Sequence, residues 1–322
     1  MPTLAAHVRK GISKAAAKAP YDGVLFSGGL DSSVVAVLNP KATGITVSLE
    51  RNAADLPYAN ALAKTLGMRQ VHHFVSIEEA IRSIPDVIRI LRSFDSALPN
   101  DLAAYFGLKK AKELGLKNIG TGDGSDELFG GYSFMADLAD LDGYIRRVSR
   151  RMVFSSNDIG KALKLGIVQP FLDPAVVRMA LNIPGDRKIR CSGGKRWGKW
   201  ILRKAFEELL PAGIAWQSKR PLEVGSGMTR LRQILTDKIS DREFNGHSYP
   251  VKFFNKEHFY YYKIYRKVIG EIPQPVGSEK SCPSCRAGMP RTHFHCKVCG
   301  HVLPFLERYQ KPVRSQKKGK KI

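Results

Sequence analysis

The sequence predicts an α/β protein: a doubly wound parallel sheet with a helical second half and a small C-terminal domain built on four cysteines. Three observations predict it. From Gly23 to Gly120, short apolar runs alternate with helical spacings of about 12 residues, the pattern of a parallel sheet covered on both faces. The first apolar run leads straight into a glycine turn, Ser27-Gly-Gly-Leu-Asp-Ser-Ser33. Beyond Gly131 the spacing turns mostly helical, and near its end the chain carries Cys282-x-x-Cys285 and Cys296-x-x-Cys299.

The elements follow in order. Met1 to Pro20 is basic and alanine-rich and reads as an amphipathic helix; it lacks the long apolar centre of a secretory signal. Gly23–Phe26 is the first strand, and a helix starts near Ser32 and runs to Leu38. Residues 44–49 form a second strand, 54–66 a helix stopped by Gly67, and 70–75 a third strand. Helices over 77–92 and 101–114 precede a fourth strand, 116–120. Residues 270–281, with two prolines and two glycines, read as a linker. The expected domains are therefore a basic N-terminal helix (1–20), a main domain (21–269), the linker (270–281), a cysteine domain (282–304) and a basic tail (305–322).

The glycine turn aims backbone N–H groups and a helix N-terminus at one point, which makes an anion site. Gly28 and Gly29 admit a phosphate close to the backbone. Ser27, Ser32 and Ser33 add hydroxyl donors, and Leu30 contributes backbone only. Asp31 beside a phosphate implies a Mg²⁺ between them. A second loop, Gly120 to Tyr132, follows the fourth strand, and ligands sit at the carboxyl ends of strands in such sheets. It brings Gly122, Asp123, Gly124 and Asp126. Asp31 and Asp126, drawn together, want a cation, since two bare carboxylates repel. A third stretch, Gly193 to Lys199, has the Gly-x-x-x-x-Gly-Lys frame of a Walker A loop. Trp200 stands where Ser or Thr must bind Mg²⁺, so it reads as a basic loop entering a helix.

The first loop resembles the PP-loop, Ser-Gly-Gly-x-Asp-Ser, of the ATP pyrophosphatases. The two loops together resemble the synthetase domain of the asparagine synthetase B and β-lactam synthetase family, with its adenine nucleotide α-hydrolase type of fold. Further matches run in order: Asp55 and Ala63 before Leu66-Gly67, then His72-His73, Pro170-Phe-Leu-Asp173, Ile201 to Ala205, Leu210-Pro211, Ala215 to Lys219 and Gly225-Ser-Gly227. The likeness covers roughly residues 20–230. It implies an enzyme that adenylates a carboxylate with ATP and Mg²⁺ and lets a nitrogen nucleophile displace AMP. It places pyrophosphate on Ser27 to Ser33 with Gly122 and Gly124, and adenine on the backbone of Val47, Ser48 and Leu49. Asp31 and Asp126 would hold Mg²⁺. Lys219 would stabilise the charge that builds on the α-phosphate, with Asp123 and Asp126 as further catalytic groups.

Three departures qualify the likeness. The family's glutaminase carries a catalytic cysteine at position 2, where this chain has Pro2. Free ammonia, another amine or a separate glutaminase is the expected nitrogen source. Asp123 replaces a glutamate, which withdraws the carboxylate by one methylene. Ser96-Ala-Leu-Pro-Asn100 replaces a Thr-x-x-Arg-like segment, so the arginine partner of a substrate carboxylate is missing. Aspartate and other carboxylates both stay open as the acceptor.

The two matched Cys-x-x-Cys knuckles, Cys282, Cys285, Cys296 and Cys299, predict a closed tetrahedral Zn²⁺ site and resemble a zinc ribbon. The metal would supply folding energy that so short a segment lacks. The chain carries 52 Lys+Arg against 29 Asp+Glu, a net +23, concentrated in 186–232 and 276–322. Such a chain attracts polyanions. A second reading therefore puts the same adenylation on a tRNA or other RNA base. The ribbon, the tail and the aromatics of 252–267 would then grip the RNA. The alternative for those aromatics is packing on the main domain. No apolar run reaches membrane-spanning length, and a cytoplasmic location without a membrane partner is expected.

Overall fold

The computed structural model describes residues 3–49, 51 and 53–304. The predicted tail 305–322 and Pro2 lie outside the described residues. The chain divides into two units. One comprises the residues up to Leu91 together with Pro99–Arg232, and the other Arg92–Leu98 together with the chain from Gln233 on.

The first unit is built on a five-stranded parallel sheet. Its strands are β1 (Gly23–Leu25), β2 (Thr43–Leu49), β3 (Gln70–Val75), β4 (Asn118–Gly120) and β5 (Gly166–Val168), in the order β3-β2-β1-β4-β5. All neighbours are parallel, with Val24 of β1 opposite Gly44 on one side and Gly120 on the other. The strand order reverses between β1 and β4, so a crevice opens beyond their carboxyl ends. Both glycine loops leave from there.

Helix α1 (Leu4–Lys18) is not a separate domain. Thr3 caps it by accepting from the Ala6 N–H, and Val8, Ile12, Ala15 and Ala16 are buried in the core beside Phe26, Val35 and Leu202. Helices α2 (Leu30–Leu38), α3 (Leu56–Leu66), α4 (Ile77–Leu91) and α5 (Leu98–Glu113) are the crossovers between β1 and β4. Gly67, at φ 59°, closes α3 as its spacing predicts. The fifth strand has only three residues, too short for alternation to show in sequence. Next come α6 (Ser125–Phe129), α7 (Leu141–Ser149), α8 (Ser155–Leu163) and α9 (Pro174–Asn182). A hairpin of β6 (Arg190–Ser192) and β7 (Lys195–Trp197) follows. Gly193 and Gly194, both at positive φ, make its turn. The Walker-like frame is thus a β-hairpin and not a phosphate loop.

In the second unit, the helix Lys256–Val268 buries Phe259, Tyr261, Tyr262 and Tyr265. These aromatics are used for packing and offer no stacking platform for bases. The expected linker is tied to the cysteine region. Gly288 N donates to Pro273 O at 3.0 Å and Arg291 Nε to Ser278 O at 2.8 Å. Lys252 and Ser284 exchange two bonds, which joins the segment before the helix to the first knuckle. Among the described residues, no helix is long and apolar enough to cross a membrane.

Candidate active site

The first loop is rigid because it bonds to itself. Ser32 Oγ lies 3.1 Å from Ser27 Oγ and donates to Gly29 O, and Gly29 N donates to Ser27 Oγ at 3.2 Å. Gly28, at φ 76°, has no room for a side chain: a Cβ would lie 2.4 Å from Ala59 N. Gly28→Ala should therefore cost about 1–3 kcal/mol for the dihedral alone, seen as a lower denaturation midpoint. An unchanged midpoint would mean the loop is slacker than this. Among the described residues no side chain caps α2, so its first N–H groups are open to an anion. Ser33 Oγ is buried and takes no partner among the described residues. Val47 and Ser48 lie past the end of β1, whose last residue, Leu25, stands opposite Ile45. Ser48 is buried, and the neighbouring Leu49 N–H is taken by Ser226 O.

The two predicted carboxylates meet, and a lysine joins them. Lys199 Nζ lies 2.5 Å from Asp31 Oδ2 and 2.7 Å from Asp126 Oδ1. Ser125 Oγ donates to Asp31 Oδ1 at 2.7 Å. Lys219 Nζ approaches Asp126 Oδ1 at 2.5 Å and stands 4.3 Å from the centre of the Tyr132 ring. Tyr132 donates to Glu127 Oε1 at 2.6 Å. The cluster packs so tightly that a Cβ on Gly131 would fall 1.8 Å from Asp126 Oδ1 and 2.3 Å from Lys199 Cε. Lys199 precedes α10 (Trp200–Phe206) at φ 56° and is only 4% exposed.

The pKa shifts follow from this crowding. Burial opposes ionisation of Asp126, but Lys199 and Lys219 outweigh it and bring its carboxyl down to about 2. Burial opposes the Lys199 charge, but Asp126 and Asp31 outweigh it and raise its pKa. Lys219 is pushed down, by burial first and the Lys199 charge second. Burial raises Glu127 and Tyr132. Two cations and two anions thus nearly balance. A polyanion entering the loop would attract both lysines and release two carboxylates for a metal cation.

Lys219 is held by its neighbours in sequence. Gln217 Nε2 donates to Gly28 O at 2.7 Å, and Arg203 donates to Ala215 O and Gln217 O. Arg220 pairs with Asp55 at 2.9 Å and covers the Tyr58 ring. The first loop and the lysine segment are therefore fastened together. Asp123 stands apart from the ion cluster in its bonding. Thr121 Oγ1, Ser156 Oγ and Gln169 Nε2 all donate to its Oδ2, at 2.6, 2.6 and 2.8 Å. Among the described residues, Oδ1 takes no hydrogen bond. Gly122 packs on Asp31, where a Cβ would lie 2.6 Å from Asp31 Cβ, and Gly124, at φ 87°, caps α6.

The four cysteines form a second centre, in the other unit. All are buried, and their sulfurs lie within 4.8 Å of one another. Cys282 and Cys299 sulfurs are 3.7 Å apart, and Cys285 and Cys296 sulfurs 3.8 Å. The knuckles repeat one pattern: Arg286 N donates to Cys282 O, and Gly300 N to Cys296 O, each from positive φ. His293, His295 and His301 are outside the four-sulfur group.

The asparagine synthase family matches residues 13–165 and 145–274. The chain belongs to the asparagine synthase family. A probable glutamine-hydrolysing asparagine synthetase of Dictyostelium discoideum is 31% identical over 273 residues, 72% of this chain and 48% of the relative. Asparagine synthetase B of Escherichia coli is 28% identical over 306 residues, 83% of this chain and 54% of the relative. A probable asparagine synthetase of Schizosaccharomyces pombe is 30% identical over 314 residues, 83% and 55%. The chain spans about half the length of the curated relatives it matches.

Of the predicted residues, Asp31, Asp126 and Lys219 meet in one cluster, at the crevice with Ser27–Ser33, Gly122 and Gly124. Sequence reasoning missed Lys199, which the Walker-like frame hid. A lysine directly before an uncapped apolar helix was the available signal. It also missed Ser156 and Gln169, which meet Asp123 only through the fold.

Proposed function

We propose that this chain is an ATP-dependent, AMP-forming carbon–nitrogen ligase. A substrate carboxylate oxygen attacks the α-phosphorus of ATP, the bond to the β-phosphate oxygen breaks, and pyrophosphate leaves. Ammonia or an amine then attacks the acyl carbon, the bond to AMP breaks, and the nitrogen releases its proton. The observation that carries this reading is the Asp31–Lys199–Asp126–Lys219 cluster beside an uncapped helix N-terminus, at the point where the strand order reverses.

The roles follow from position. Ser27–Ser33 with Gly122 and Gly124 would bind the leaving pyrophosphate, and the edge at Val47 and Ser48 would receive adenine. Asp31 and Asp126 fit Mg²⁺, since each offers carboxylate oxygens now neutralised only by lysine. Bound there, the metal supplies charge neutralisation for the phosphates. Lys199 and Lys219 stabilise negative charge on the phosphates as the α–β anhydride bond breaks. Asp123, gripped by one oxygen, presents the other to the acceptor side. Aspartate heads the test as the acid because the relatives are named for asparagine.

The cysteine centre fits Zn²⁺. A tetrahedron with Zn–S bonds of about 2.3 Å has S–S edges of about 3.8 Å, and two edges here measure 3.7 and 3.8 Å. The metal there would be structural, with no position left open for chemistry.

The test is pyrophosphate release from ATP and Mg²⁺, run with aspartate plus ammonium, with a panel of other small carboxylates, and with bulk tRNA. Release that requires a carboxylate is expected. Release that requires tRNA would replace this reading with base adenylation, and silence in every arm would sink both.

A further inference from the structure

The ligase chemistry above makes no use of the ribbon, yet the ribbon holds a stretch of chain from far away in sequence. Residues 92–98, the connection from α4 together with the first residue of α5, belong to the ribbon's unit. Phe94 is completely buried. It meets Tyr262 and Tyr265 edge-on at 5.1 Å each and stacks on His258 at 5.2 Å. Phe94 N donates to Val298 O at 2.7 Å, and Ser93 Oγ donates to the same oxygen at 3.3 Å. Val298 lies inside the second knuckle, between Cys296 and Cys299. Asp95 Oδ2 pairs with His295 Nε2 at 3.1 Å, one residue before Cys296. Asp95 Oδ1 accepts from Ala97 N at 2.9 Å and so shapes the turn into α5. Gly300 makes way for this carboxylate: a Cβ there would lie 2.1 Å from Asp95 Oδ1.

We infer that residues 92–98 are an integral part of the ribbon fold, and that metal held by the four cysteines latches the start of α5 through Phe94 and Asp95. Two knuckles with so little core keep their shape only while four thiolates share a metal. Without it, Val298 O and His295 are no longer fixed: the Phe94 N–H loses its acceptor and Asp95 loses His295, while the Phe94 ring keeps its contacts to the helix Lys256–Val268. The chain then carries the slack onward. Ser96–Asn100 is where this sequence departs from the arginine-bearing pattern of its family. The Asn100 side-chain oxygen accepts from Glu223 N at 2.9 Å, four residues beyond Lys219. Phe94, Asp95 and His295 are thus positioning residues for the segment that would receive the acid. This last step rests on the ligase reading; the latch itself does not.

The experiment uses the full chain with its zinc content measured by atomic emission. Amide hydrogen exchange is followed by mass spectrometry before and after the metal is removed with a chelator. Residues 92–98 should exchange at least about tenfold faster, together with 282–301, while β1 and β2 keep their protection. Continued protection of 92–98 without metal overturns the latch. So does loss of protection spread evenly over the whole chain. His295→Ala, checked to retain its zinc, should raise the KM for the acid about tenfold with the KM for ATP unchanged, and His295→Asn, which keeps a donor for Asp95, should restore much of it. An unchanged KM removes the positioning role and leaves the latch. Absence of pyrophosphate release in the parent protein would strike the ligase reading alone, since the exchange result stands without it.

Discussion

Lys199→Met should cut turnover severely and lower the melting temperature together. Among the described residues, Lys199 is the one cation paired with both Asp31 and Asp126. Removing it leaves two carboxylates that are largely out of water, 25% and 19% exposed, with Lys219 to serve Asp126 alone. Breaking a buried ion pair from one side costs about 3–5 kcal/mol, and the partial exposure of these groups argues for the lower end. A protein of this size should then melt about 6–12 °C lower. The activity loss should be on the order of a thousandfold, the scale for one group that stabilises developing charge. Two controls separate electrostatics from packing. Asp31→Asn in the Lys199→Met background removes the repulsion and should recover part of the lost stability, a coupling that a cavity would not show. Millimolar Mg²⁺ should raise the melting temperature of Lys199→Met more than that of the parent, because a divalent cation replaces the missing charge. If Lys199→Met melts like the parent, the bridge contributes nothing to the fold and Lys199 is a binding group only.

Lys199 also shows what could be read from the sequence and what could not. The sheet was legible because each strand of the first half is followed by a helix with its own stop, such as Gly67 or Gly115. The two loops were legible because a glycine turn between strand and helix has few other uses. β5 was not, because three residues carry no periodicity. The second group of findings depends on contacts between distant residues. Gln169 meets Asp123 across 46 positions and His295 meets Asp95 across 200. Neither pairing leaves a local trace. Lys199 was within reach, yet the Gly-Lys frame suggested a phosphate loop, and dismissing the loop dismissed the lysine with it. The aromatics of 252–267 carried two readings in sequence. Burial of Phe259, Tyr261, Tyr262 and Tyr265 decides for packing at those four, against partners of their own unit such as Phe94 and Phe253, while Phe254 stays 49% exposed.

Lys219→Met should lower kcat/KM about a hundredfold to a thousandfold, and the alkaline limb of the pH profile should identify the reason. In the free protein, burial and the neighbouring Lys199 charge both disfavour the protonated form, so the Lys219 pKa lies below the ordinary lysine value. The sign is fixed: the positive charge is present below that shifted pKa and is lost above it. kcat/KM, which reports the free enzyme, should therefore fall on the alkaline side sooner than for an ordinary lysine. Lys219→Arg keeps its charge throughout and should move the limb upward even where the rate is lower. Lys199→Met should move it upward too in the residual activity, because the repelling charge is gone. The surrounding groups do not confuse the assignment. Asp126 is held at about 2 and stays ionised throughout, Lys199 is raised by its two carboxylates, and the buried Tyr132 phenol is raised as well. That leaves Lys219 as the group of this cluster that sheds charge first on the alkaline side. A limb that stays in place in Lys219→Arg would transfer the titration to the substrate and remove Lys219 from the charged transition state.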